Sequence, residues 1–198
     1  MKIVPLLEHM EHLDAVVEFL WNEWGKYKNL TRAYWECWVR SSLHPTTVPQ
    51  TYIAISEPAD GDIFEDVLSM TPSSVDANIT SDVVRPKETV SGVWREQLLG
   101  TVSLWRNDLQ SHQDLTPWLG GLYVVPAFRG RGVARALQRY VLRRAAAMSI
   151  PRIYLMTEHI DFYERMGWIF MGTSPHETGV SVRIYSHDTA NTMGDMGI

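Results

Sequence analysis

Arg129, Gly130, Arg131 and Gly132 stand between the beta-branched and aromatic stretch LYVVP and the helix-forming run VARAL. A helix that starts here leaves its first backbone N–H groups without internal partners, and its peptide dipoles place roughly half a positive charge at that end. The glycines carry no side chain to obstruct a ligand, so a phosphate can reach the main-chain donors, and Arg129 and Arg131 can add charge-assisted hydrogen bonds. The turn is therefore expected to hold a phosphorylated cofactor, best of all a diphosphate. GxxxxGK[ST] does not occur in the segment, and GRGVAR lacks the third glycine of a dinucleotide fingerprint. Tyr163, in FYERMGW, offers a proton-donating hydroxyl; its alternative role is packing, beside the i, i+4 pair Phe162 and Met166. His9 and His12 lie one helical turn apart, but HExxH is missing and no third ligand is evident, so they are expected on a surface helix start, with no metal.

The elements that must position these groups follow from hydrophobic periodicity. KIVPL reads as a first strand. Leu13, Val16, Val17, Leu20 and Trp24 recur at helical spacing between His9 and Gly25, and Thr31 is a good N-cap for a second helix through RAYWECWVRSSL. TYIAIS (51–56) and LLGTVSLW (98–105) alternate as strands. WLGGLYVV forms another, and the helix beginning near Gly130 and running to about Met148 places Val133, Leu137, Val141 and Ala145 on one side, toward a sheet. RIYLM, a short helix IDFYERM closed by Gly167, and the strands WIFMG and VSVRIYS complete the series. The expected fold is α/β: a mixed, centrally split, twisted sheet of about seven strands flanked by about four helices. Residues 1–188 form one domain, and 189–198 a flexible tail.

Residues 57–97 are expected to be an insertion between two hairpin strands. From Glu57 to Glu96 there are nine acids against three bases, a local net of −6, so the rest of the chain is close to neutral within a formal net charge of −5. An acidic chain argues against a nucleic-acid partner. No segment approaches the roughly 20 apolar residues of a membrane span, and the N-terminal apolar run is too short for a secretion signal, so a cytoplasmic location without membrane association is expected. Cys37 is the only cysteine, which excludes an internal disulfide or thiolate zinc site.

Arg129, Gly132 and Ala134 match the pattern [QR]xxGx[GA], directly after a strand and before a long amphipathic helix. About thirty residues later, FYERMGW looks like an aromatic-Tyr-Glu-(Lys/Arg)-x-Gly-(Phe/Trp) segment. On these two features and the element order, the sequence resembles the GNAT superfamily of acyl-CoA N-acyltransferases over almost its whole length, residues 57–97 being the main departure.

The resemblance implies acetyl-CoA as cosubstrate. Its pantetheine arm would bond the main chain at Tyr123, Val124 and Val125, and its diphosphate would lie on Arg129, Gly130, Arg131, Gly132, Val133 and Ala134. An amine would attack the thioester through a tetrahedral intermediate, a backbone N–H near Val124 or Val125 would stabilise the oxyanion, and Tyr163 would be the thiolate's proton donor. The acceptor is expected to be a primary amine on a small cationic molecule, bound by an aromatic wall including Trp21, Trp24 and Trp35, with a peptide or protein amine as the alternative. A noncatalytic acyl-CoA-binding module is the competing class, and a homodimer is left open. The motif strand carries Gly120 and Gly121 where some relatives place a glutamate, so water is favoured as the route for the amine's proton over Glu23, Glu36 or His112.

Overall fold

The computed structural model describes residues 1–25, 30–57 and 96–190. Most of the 57–97 segment and of the C-terminal tail lies outside the described residues. A single seven-stranded sheet runs β1 (Lys2–Pro5), β2 (Gln50–Ile55), β3 (Leu98–Trp105), β4 (Trp118–Val124), β5 (Arg152–Thr157), then β7 (Ser181–Asp188) and β6 (Ile169–Pro175) at the far edge. All neighbours are antiparallel except β4 and β5, which are parallel and joined at one register pair, Trp118 with Tyr154. Beyond that pair the two strands part. The sheet is thus split at its centre, with the carboxyl end of β4 on one lip.

The α-helices among the described residues are α1 (Leu13–Leu20), α2 (Arg32–Ser41) and α3 (Val133–Ala147). The helical periodicity read from His9 to Gly25 is divided between a 3-10 turn at Met10–His12, α1 itself, and a π turn at Trp21–Gly25. Thr31 caps α2 as expected, its Oγ1 accepting from the Tyr34 N–H at 3.2 Å. The helix expected from Gly130 begins at Val133, because Gly130 and Gly132 both take left-handed backbone angles, with φ of 76° and 79°. The expected helix at 160–166 is reduced to a single 3-10 turn, Glu164–Met166.

Two cores lie on opposite faces of the sheet. Val133, Leu137, Val141 and Ala145 bury the inner side of α3 against Tyr52, Val102, Leu104, Leu119, Ile153 and Leu155. On the other face α1 and α2 pack Val16, Val17, Leu20, Trp35 and Val39 against Ile53, Ile55 and Trp105. Burial of such side chains stabilises by about 1.5–3 kcal/mol each. No helix among the described residues is long and apolar enough to cross a membrane.

Candidate active site

The site is built where β4 ends. The Val125 N–H donates to the Leu99 carbonyl at 3.0 Å, which fixes the alternation of the antiparallel ladder there. Tyr123 and Val125 turn their main-chain groups toward β3, and Val124 turns its own toward the split. Of the two amides considered for the oxyanion, Val125's is therefore engaged within the sheet. The Val124 carbonyl accepts a hydrogen bond from Arg129 Nε at 3.0 Å, and that guanidinium sits 5.8 Å from the centre of the Tyr123 ring.

After β4 the chain makes one 3-10 turn at Pro126–Phe128 and enters the glycine turn. Gly132 is the N-cap of α3 and supplies no side-chain cap; its carbonyl accepts the first helical bond, from Ala136 N at 3.0 Å. The amides of Val133, Ala134 and Arg135 thus precede the internal ladder and are offered at the positive end of the dipole. A Cβ built on Gly130 or Gly132 would meet nothing within 4 Å, so the glycines leave open space over these donors. Arg129 and Arg131 are both exposed, Arg129 being held by its bond to Val124. The residues present fit a diphosphate.

Tyr163 approaches from the other side of the split, behind the carboxyl end of β5. Its ring is 7% exposed and belongs to the core cluster that holds Leu119, Val133, Leu137 and Trp168, with Leu122 and Val124 packed against it. Phe162, Trp168 and Tyr185 surround it with ring centres at 4.9, 6.1 and 6.1 Å. Its carbonyl accepts from the Met166 and Trp168 amides at 2.9 and 3.2 Å. The turn is clipped to α3 through buried Gln138, which accepts from Trp168 Nε1 at 2.9 Å and donates to Met166 Sδ at 3.2 Å. Packing residue and proton donor are therefore compatible roles. Burial, with the Asp108 carboxylate adding to it, pushes the phenol well above the ordinary tyrosine range, so it stays protonated. The adjacent Glu164 is occupied otherwise: a 2.5 Å bond from the Tyr185 hydroxyl, with Arg183 beside it, holds its carboxyl below the usual range.

Sequence reasoning missed Asp108. It follows β3 in the turn RNDLQSHQ, with a half-buried carboxylate. A Cβ on Gly120 would lie 3.0 Å from its Oδ2 and would run into the Trp105 ring. Glycine at 120 is thus what lets Asp108 and Trp105 close over β4, and Asp108 is also near enough to Tyr163 to influence its ionisation. The only sequence signal was the pair of glycines inside a strand, which marks a close approach without naming the visitor.

The aromatic wall divides. Trp35 is core at 6% exposure, whereas Trp21 and Trp24 are half-buried against it; Trp21 Nε1 donates to the Leu30 carbonyl at 3.1 Å, and Trp24 and Trp35 are 6.4 Å apart. The end of α1 reaches β4 where the Phe19 and Tyr123 rings meet at 4.9 Å. Exposed Glu23 lies close enough to add to the rise that burial causes in the Tyr123 phenol's pKa. Glu36 is bound by Arg32 and Arg40 at 3.4 and 2.9 Å, and His112 lies in the 3-10 turn Gln110–His112.

Comparison with known proteins agrees with this geometry. The chain superposes on an aminoglycoside 6'-acetyltransferase type Ii with a TM-score of 0.58 at 16% identity, covering 96% of this chain and 97% of that one. An aminoglycoside 6'-N-acetyltransferase complexed with coenzyme A gives 0.60 at 14% identity, with 96% and 97% covered. A spermidine N-acetyltransferase chimera from Vibrio cholerae and hSSAT gives 0.59 at 14%, with 98% and 99% covered. No curated protein matches the sequence. At such identities these likenesses establish the fold. The sequence profile of the acetyltransferase (GNAT) family matches residues 60–168, more than half of the chain. With a split sheet, an open glycine turn at the head of α3 and a tyrosine turn facing it, the chain belongs to the acetyltransferase (GNAT) family, whose acyl donor is acetyl-CoA.

Proposed function

We propose that the protein transfers an acetyl group from acetyl-CoA to a primary amine on a small cationic molecule, by direct attack and through a tetrahedral intermediate. The carrying observation is the convergence of the Val124 main chain, the open α3 turn and a protonated Tyr163 around one split in the sheet. When bound, acetyl-CoA supplies a thioester carbonyl and a thiolate leaving group. Val133, Ala134 and the exposed Arg131 hold the diphosphate, and Arg129 joins them when it leaves the Val124 carbonyl.

The Val124 N–H, pointing into the split, is placed to stabilise the oxyanion. Tyr163 donates to the departing sulfur. Because its hydroxyl is a weaker acid than a thiol, whose pKa is about 8.5, it helps by a hydrogen bond to developing charge rather than by full transfer. Asp108 and Glu23 give the acceptor side its negative charge, which favours a cationic amine. In this reading Asp108, whose carboxylate lies over Gly120, takes the amine's proton directly or through water. Aminoglycosides and spermidine, named for the similar structures, are polyamines of this kind.

The test is thiol release from acetyl-CoA over a panel of polyamines, aminoglycosides and peptide amines, with Tyr163→Phe and Asp108→Asn alongside. Turnover on small cationic amines, with Asp108→Asn raising their KM, supports the reading. Turnover on peptide amines alone would move the acceptor to the protein class. Acetyl-CoA at 100 times its Kd should add about 2.7 kcal/mol of stability. That shift without turnover on any amine would make the chain a binding module.

A further inference from the structure

The fold completes a donor set that the sequence left half-made. His9 closes the 3-10 turn Leu6–Glu8, and Glu11 and His12 lie in the next turn, Met10–His12. The His9 amide is fixed on the Leu6 carbonyl and the His12 amide on the His9 carbonyl, each at 3.0 Å, so the spacing of the two imidazoles is set by backbone. Glu96, far along the chain, arrives beside them. Its neighbour Gln97 is held at the end of β2, donating to Ser56 Oγ at 2.8 Å and accepting from the Ser56 amide at 2.9 Å.

Four potential ligand atoms, one from each of His9, Glu11, His12 and Glu96, lie within 4.8 Å of one another. His9 Nδ1 is 3.2 Å from Glu11 Oε1 and 3.5 Å from Glu96 Oε1, and His12 Nε2 is 3.6 Å from that same Glu96 oxygen. Ligands about 2.0 Å from a tetrahedral zinc ion stand about 3.3 Å apart. These three separations fall around that edge, and the other pairs stay within 4.8 Å.

Ordinary ion pairing explains the cluster less well. Glu96 Oε1 is shared between two imidazoles, yet neither contact is a hydrogen bond, and His12 Nε2 is buried with no hydrogen-bond partner. A desolvated, unpartnered ring nitrogen is costly, and a cation between it and the carboxylates would satisfy it. Two imidazoles and two carboxylates also match the charge and the borderline softness of Zn²⁺ better than those of Mg²⁺ or Ca²⁺, which prefer oxygen alone.

We propose that His9, Glu11, His12 and Glu96 form a zinc-type divalent metal site. Four protein ligands leave no open position, so the site is structural: it ties the approach to β3 to the turn that precedes α1. It is independent of the acyl-transfer chemistry.

The experiment uses the full chain, freed of any affinity tag and stripped with a chelator, titrated with Co²⁺ and then Zn²⁺. One equivalent of Co²⁺ should give the intense visible spectrum of a tetrahedral site, Zn²⁺ should abolish it, and the melting temperature should rise with either metal. Glu96→Gln keeps the size of a partly exposed side chain and, like His12→Ala, should weaken binding by at least about tenfold, since even outer-shell changes have effects of that order. X-ray absorption at the zinc edge of the unsubstituted protein, which needs no variant to fold, should count two imidazoles. Absence of stoichiometric binding, an octahedral cobalt spectrum, a shell without two imidazoles, or affinity unchanged in both variants would overturn the site.

Discussion

The turn that opens α3 and the turn that carries Tyr163 face the same split and are each bounded by glycine, yet they are built in opposite ways. The first is empty: beyond its chain neighbours nothing stands within 4 Å of where a side chain at Gly130 or Gly132 would begin, and the groups it offers are main-chain amides. The second is full: Tyr163 is enclosed by three aromatic rings and clipped to α3 through Gln138. Binding a large flexible cosubstrate needs space and fixed dipoles, whereas placing one hydroxyl against a departing sulfur needs immobility.

The sharpest way to break the contrast is Tyr163→Phe. It should lower kcat by about a hundredfold or more while the Kd for acetyl-CoA stays unchanged, as stopped-assay kinetics and calorimetry would record. Equal loss of binding would mean that the two turns are one unit. Next, Trp168→Phe leaves the carbonyl of buried Gln138 without its donor and should destabilise the fold by about 2 kcal/mol in urea melts. Its kcat should fall with KM for acetyl-CoA spared. Gly132→Ala should do the reverse: about 1 kcal/mol of left-handed strain, about a tenfold weaker Kd for acetyl-CoA, and near-normal kcat at saturation.

The smallest effect concerns pH. Tyr163 has its folded pKa raised, so its contribution to stability is intact below the unfolded value of about 10 and is lost as the pH rises above it, because the unfolded chain then ionises first. Urea midpoints should stay level, as far as this group is concerned, from neutral pH to about 10 and then decline, less steeply in Tyr163→Phe. Tyr52, Tyr140 and Tyr185 are also raised, by burial first of all, and should sustain the remaining decline.

What could be read from the sequence divides along the same line. LLGTVSLW became β3 residue for residue, and the inner face of α3 was visible as Val133, Leu137, Val141 and Ala145, because strand and helix periods are local properties. The glycine turn was legible for the same reason, its chemistry being that of the backbone. Asp108 over Gly120, and Glu96 beside His9 and His12, were not legible: each pairing is made by sheet register between segments that no local pattern connects. The three-residue offset at the start of α3 came from reading Gly130 and Gly132 as helix when both are left-handed. Trp35 shows the converse limit, since helical spacing of aromatics does not distinguish a wall from a core.

The hydrogen bond from Arg129 to the Val124 carbonyl has a consequence for solubility. Where β4 leaves β5, its polar groups form an exposed margin onto which a strand of another molecule could zip. A charged side chain folded across that margin discourages such growth whenever no guest is present. Replacing it by alanine would leave a bare template at the centre of the molecule, and concentrated samples should scatter more light until cosubstrate is added.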